Sequence, residues 1–175
     1  MDSIYIKSNQ LFEAQGFEKI YDQFARPFLV ADGIRNPENV GALIRLADNI
    51  GAEGAFFIKG AQPLNMTRAK RAAASSVGNI AWRFVNEDEL SSILPEAYVW
   101  IAIETTQKSE NLFFTKLPRQ CVFFVGNESR GIRDSLLERM QQTVYIPVPG
   151  PTRSLNVSHA AAVAMFEWLR QMMNI

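Results

Sequence analysis

The sequence predicts an α/β fold, a mostly parallel sheet with helices on both faces. Short apolar runs such as Phe28-Leu29-Val30, Cys121-Val122-Phe123-Phe124-Val125 and Val144-Tyr145-Ile146 alternate with helical patterns, which argues for strands joined by crossover helices. Each of those three runs leads into a polar block bearing Gly, Asn or Ser: Asn39 to Arg45, Gly126 to Gly131, and Ser154 to Ser158. In an open α/β sheet, such segments gather at the carboxyl ends of the strands, where ligands bind. Three of them predict one composite site.

The elements follow in order. Residues 1–26 read as a helical arm, with an apolar stripe of Leu11, Phe12, Ile20, Tyr21 and Phe24 interrupted at Gly16. From residue 27 to 175 the pattern is that of one domain. A strand at about 28–32 precedes a helix at about 39–50, which Gly51 ends. A strand at 54–58 precedes a helix over roughly 65–76, with Asn65 or Thr67 as its N-cap. Further strands are expected at about 81–85, 98–103, 121–125 and 143–146, with helices near 87–94 and 132–141. A long helix from about 156 to 173 closes the chain, and Ala161, Ala164, Met165, Trp168 and Met172 give it an apolar face, for core or for dimer contact.

Composition narrows the function. A chain of 175 residues suffices for one domain that buries about 70% of its unfolded surface. No apolar run approaches the roughly 20 residues of a membrane span, and the start lacks a basic-then-apolar signal. A cytoplasmic address and no membrane partner are expected by elimination. A single cysteine, Cys121, excludes an intramolecular disulfide and reads as a buried inert thiol. No Cys/His cluster has metal-ligand spacing, so no metal is expected.

The 18 basic and 18 acidic side chains balance, which argues against coating nucleic acid through bulk charge but not against a local basic mouth. Arg26, Arg35, Arg45, Arg130, Arg133 and Arg153 lie in or beside the polar turns and are expected to converge with them. Arg68, Lys70 and Arg71 cluster on one helix, where a solvated surface is an equal reading.

The glycine spacing of Gly126 and Gly131 is that of a phosphate-binding P-loop, but Ile132-Arg133 follows in place of Lys-Ser/Thr, which disfavours that chemistry. No G-x-G-x-x-G follows the first strand, which disfavours a dinucleotide site. Instead the three blocks, in this order, resemble the motifs of the SpoU (TrmH-type) RNA 2′-O-ribose methyltransferases of the SPOUT superfamily. Asn39, Gly41 and Arg45 match the first motif, Gly126, Glu128 and Gly131 the second, and Ile146, Pro147 and Ser154 to Ser158 the third. The resemblance covers nearly the whole chain from about residue 28. It implies S-adenosylmethionine as methyl donor, structured RNA (tRNA or rRNA) as substrate, a trefoil knot in the C-terminal third, and a homodimer with sites completed near the interface.

Residue roles follow from that resemblance and from chemistry. Methyl transfer from a sulfonium to a ribose hydroxyl needs an in-line approach, so positioning dominates. Arg45 is expected to orient or activate the 2′-hydroxyl, and a guanidinium holds its proton too firmly to be an easy base. Glu128 is costly in an apolar setting unless paired, so it holds Arg45, or accepts from backbone N–H groups of a neighbouring loop, or caps a helix. Asn39 belongs with them, and Ser154 and Asn156 either cap the last helix or also face the site. The resemblance places the cofactor on Gly126, Asn127, Gly131, Ile146 and Leu155, with Ile103, Glu104 and Thr105 lining its slot. RNA is expected on Arg26, Arg35, Arg68, Arg133 and Arg153. His159, three residues beyond Asn156, departs from the family pattern and is either a general base or a structural histidine. Two other classes compete with the enzyme: a non-catalytic knotted RNA-binding module, and a flavodoxin-like ligand domain.

Overall fold

The computed structural model describes residues 5–173. In chain order the elements are α1 (Ser8–Gln15), a 3-10 turn (Phe17–Asp22), β1 (Phe28–Asp32), α2 (Pro37–Ile50), β2 (Gly54–Ile58), α3 (Met66–Ala73), α4 (Ser76–Asn79), β3 (Trp82–Val85), a 3-10 turn (Glu87–Glu89), α5 (Leu90–Ile93), β4 (Val99–Ile103), β5 (Glu110–Asn111), a 3-10 turn (Leu112–Phe114), β6 (Cys121–Val125), α6 (Asp134–Leu137), β7 (Gln142–Tyr145) and α7 (Val157–Met172). The ends of both expected units, 1–4 and 174–175, lie outside the described residues.

The strands form one sheet in the order β3-β2-β1-β6-β4-β7-β5, and every pair is parallel. The central strands β1 and β6 are buried along their whole length, as parallel strands covered on both faces must be. Side chains alternate between two core layers. Leu29, Ala31, Phe123 and Val125 pack against α2, α3 and α7, whereas Phe28, Val30, Val122 and Phe124 pack on the other face with Leu90 and Leu136. Cys121 is buried, and burial pushes its thiol well up, so it is an inert core residue.

Helix α2 carries the first polar block. Asn36 caps it by accepting from the Glu38 N–H at 2.8 Å, Pro37 occupies the first turn, and Gly51 ends it with a φ of 66°. Gly41 sits where α3 comes closest; a Cβ there would collide with the backbone of Ala69 and the side chain of Ala72.

The expected helix over 65–76 breaks at Ala74, whose φ of 53° turns the chain so that a separate α4 also packs on α2. The helix expected near 132–141 shrinks to α6, which begins just after Ile132 and Arg133, whose N–H groups donate to the Glu104 and Asp32 side chains. The arm holds α1, none of whose residues is buried, and a 3-10 turn from which Tyr21 packs into the domain. Trp168 of α7 is fully buried between Phe24 and Phe123, and its Nε1 donates to the Pro118 carbonyl at 2.9 Å. Among the described residues, no helix is long and apolar enough to cross a membrane.

Candidate functional site

All three polar blocks meet at the carboxyl ends of β1, β4, β6 and β7, and hydrogen bonds between side chains join them. Glu128, in the loop after β6, accepts from the N–H groups of Arg35 and Asn36 at 3.1 Å each and from Asn39 Nδ2 at 2.8 Å. Asn156 Nδ2 donates to Asn39 Oδ1 at 3.0 Å, and the same Asn156 caps α7 by accepting from the Ser158 N–H at 2.9 Å. Capping and site-building are thus one arrangement for Asn156. Glu128 takes the second of its expected roles: its partners are a neighbouring loop and Asn39, and Arg45 is not among them. Burial works to raise the Glu128 carboxyl, but the bonds from Asn39 and the backbone outweigh it and hold the group below the ordinary glutamate range.

The Gly126–Gly131 loop closes on itself. Asn127 and Gly131 exchange two backbone hydrogen bonds at 2.9 Å, and Asn127 Nδ2 donates to the Gly33 carbonyl at 2.6 Å. Gly131 has a φ of 70°, a conformation glycine adopts without cost. Glu104 fills the space a side chain would need there and accepts from the Ile132 N–H at 3.1 Å. At Gly126, a Cβ would strike the backbone of Gly131 and Ile132.

Between this loop, the end of β4 and the segment 145–157 lies a cavity of about 450 Å³. Ile103, Glu104, Thr105, Gly126, Asn127, Gly131, Ile146 and Leu155, the eight residues assigned to a cofactor from sequence, all line it, as do Glu128, Ser154 and Asn156. Tyr145, Val148, Val157 and Ala160 line it too and were not anticipated. Tyr145 and Val148 flank Ile146-Pro147, so proximity to the third block was the available signal. Asn39 does not line the cavity and reaches it through Asn156 and Glu128.

Arg45 stands apart. It is exposed, lines no part of the cavity and has no partner among the described residues. Six residues beyond Asn39 is about 9 Å along the helix and about 240° around it, so the two side chains leave α2 on different faces.

The arginines do not all converge. Arg153 lines the cavity, and Arg35 and Arg130 lie in the loops beside it. Arg26 sits at the opposite, amino end of β1, where it donates to the Gly51 carbonyl at 2.8 Å and stacks over Tyr21. Arg133 is committed to buried Asp32, with a 3.0 Å bond from Nε, and to Glu87 at 3.1 Å. Asp32 is a position the sequence reading missed, since a carboxylate ending an apolar strand gives no sign of its partner. Arg68 reaches Glu38 from α3 at 2.7 Å but stays exposed. His159 is exposed on the first turn of α7 and lies outside the cavity lining. Among the described residues, no cluster of three or more His, Cys, Asp or Glu could hold a metal ion.

Comparison with known proteins agrees with this geometry. The 23S rRNA (guanosine-2′-O-)-methyltransferase RlmB of Salmonella typhi is 29% identical over 168 residues, which are 95% of this chain and 69% of that protein. A solved structure bearing on 2-OH methylation of C/U34 on tRNA superposes with a TM-score of 0.75 at 27% identity, covering 86% of this chain and 99% of the other. An AdoMet-bound rRNA methyltransferase from Sinorhizobium meliloti gives 0.74 at 26% identity, covering 87% and 60%. The model of the SpoU rRNA Methylase family matches residues 26–166, and with the three blocks joined around one cavity the chain belongs to that family.

Proposed function

We propose that the protein is an S-adenosylmethionine-dependent 2′-O-ribose methyltransferase acting on structured RNA, tRNA or rRNA, in the cytoplasm. The observation that carries this reading is the hydrogen-bonded chain Asn156–Asn39–Glu128, which frames one cavity from three separated segments. The family and the relatives' methyltransferase activity point the same way.

The cavity fits the donor. Its volume lies in the usual range for small-molecule sites, roughly 300–1,000 Å³. Ile103, Val125, Ile146, Leu155 and Val157 give it an apolar wall for an adenine, and Glu104, Thr105, Asn127 and Ser154 offer polar groups. When bound, S-adenosylmethionine supplies an electrophilic methyl group on a sulfonium. The protein's part is to hold the acceptor oxygen in line with it. Glu128, Asn39 and Asn156 hold the loops in place, Ser154 lies on the cavity wall, and Arg35 and Arg153 are charges for the RNA phosphates.

We assign Arg45 to orientation of the ribose 2′-oxygen, in a site completed across a homodimer. Its exposure on the outer side of α2, away from the cavity of its own chain, supports this. The dimer contact falls on the outer stripe of α7. Met165 and Trp168, which the sequence offers as interface candidates, are fully buried core residues, whereas Phe166 is half exposed and flanked by part-buried Val163, Leu169 and Met172. We also propose the trefoil knot for the C-terminal third, which the non-sequential order β6-β4-β7 supports, and the division into an arm (1–26) and a methyltransferase domain (27–175).

Isothermal titration with S-adenosylhomocysteine tests the reading, followed by mapping of 2′-O-methyl sites in RNA incubated with the protein and donor. Binding with methylation is expected. Binding of RNA without the cofactor would favour the non-catalytic module, and no cofactor binding overturns the proposal.

A further inference from the structure

Of the acidic groups on the cavity wall, Glu128 is spent on the β1–α2 loop: its oxygens already accept from two backbone N–H groups and the Asn39 amide. Glu104 is different. Its Oε1 accepts from the Thr105 N–H at 2.9 Å and its Oε2 from the Ile132 N–H at 3.1 Å. A carboxylate offers about four lone-pair sites, so capacity remains on both oxygens. The two N–H donors fix the rotamer, and the side chain is wedged against Gly131, which cannot carry a Cβ without displacing it. The result is a half-buried acceptor, held in advance, on the wall of the cavity.

From these observations we infer that Glu104 recognises the ribose diol of the cofactor and makes the site selective for a ribonucleoside ligand. The inference rests on the S-adenosylmethionine reading of the cavity. Ile103, the preceding residue, belongs to the apolar wall that suits an adenine, and consecutive Cα atoms are about 3.8 Å apart. A group one residue along the wall from an adenine slot therefore faces what is bonded to the adenine, the ribose. Vicinal hydroxyls present two adjacent O–H donors, the complement of two carboxylate oxygens with free lone pairs. The other side-chain carboxylate on the cavity wall, Glu128, lacks free capacity on both oxygens, because its Oε1 already accepts from the Asn36 N–H and Asn39 Nδ2.

The test is a cycle crossing the protein change Glu104→Gln with removal of a ligand hydroxyl. S-adenosylhomocysteine and its 2′-deoxy and 3′-deoxy analogues are titrated calorimetrically into wild-type protein and the variant. Wild type is expected to lose at least about tenfold in affinity with either deoxy analogue, the size of a hydrogen bond to a charged group. The variant should bind all three within about threefold of one another, since the interaction is already weakened. A purely bracing role for Glu104 lowers affinity for the three ligands equally and leaves wild type and variant with the same ratios, which overturns the inference. Equal wild-type affinity for the three also overturns it, and that arm needs no variant to fold. If the coupling appears instead with an analogue lacking the α-amino group, Glu104 reads the ammonium and the diol assignment falls. Failure of wild type to bind S-adenosylhomocysteine at all is a separate outcome, which removes the cofactor reading together with this one.

Discussion

Asn156 gives its side-chain N–H to the side-chain oxygen of Asn39 across 117 positions of sequence, and Asn39 passes the connection on to Glu128. Asn39 is buried and uses both ends of its amide, so it is the centre of the connection. Asn39→Ala should leave Glu128 and Asn156 each short of a partner and cost about 1–3 kcal/mol of stability. Urea unfolding measures the cost, and affinity for S-adenosylhomocysteine should fall with it. An unchanged midpoint would show that the three loops hold their places without this residue.

Arg45→Ala should behave in the opposite way. Arg45 is exposed and has no hydrogen-bond or ion-pair partner among the described residues, so stability and cofactor affinity should stay near wild type. Single-turnover methylation should fall by on the order of a hundredfold, as misplacement of a reacting oxygen does. Arg45→Lys should recover little, because a point charge does not reproduce a planar two-pronged donor. Near-normal turnover in the alanine variant would remove Arg45 from the mechanism and make His159 the next residue to test.

Glu128 supplies a pH dependence with a definite sign. Its carboxyl is held below the ordinary range, so its stabilising contribution is complete above the unfolded value of about 4.3 and disappears as pH falls through the lower folded value. Glu128→Gln should therefore be less stable than wild type at neutral pH and converge with it in acid. Thermal melting from pH 7 to 2.5 reads the two curves, and parallel curves would contradict the assignment.

Phe166→Glu tests the dimer without disturbing the core, because Phe166 points outward while Met165 and Trp168 face in. Light scattering at micromolar concentration should show a dimeric wild type and a monomeric variant. A monomeric wild type would refute the shared site, and Arg45 would then lack a cavity to serve.

Gly126→Val should lower cofactor affinity and the melting temperature together. The added Cβ meets the backbone of Gly131 and Ile132, so the loop must open before any ligand arrives. A variant that loses affinity at full stability would show that the side chain intrudes on the ligand alone.

Much of this was legible in the chain because strand and helix periodicity survives in long apolar elements. β1, β2 and β6 fall on the expected residues, and α2 and α7 differ by one or two at their ends. What escaped was set by tertiary contact. A two-residue strand, Glu110–Asn111, has too few positions for any period, and the bonds from the Ile132 and Arg133 N–H groups just before α6 go to Glu104 and Asp32, distant in the chain. The cavity residues were readable as Gly- and Ser-bearing turns at strand ends. The arginines were not, since their positions along the chain do not say whether Glu87, Glu38 or Gly51 waits across the fold.

Trp168 has a consequence for how the molecule is made. It seals the core between Phe24 and Phe123, yet it belongs to α7, synthesised after the described strands β1–β7. A nascent chain that has emitted all seven strands still lacks this indole and the helix carrying it, and so presents an apolar face of the sheet to solvent. Incomplete parallel sheets with uncovered faces are the species that aggregate and need chaperones. Folding of this domain should consequently wait for α7, with ribosome-bound intermediates sensitive to protease until residues beyond 168 have cleared the exit tunnel.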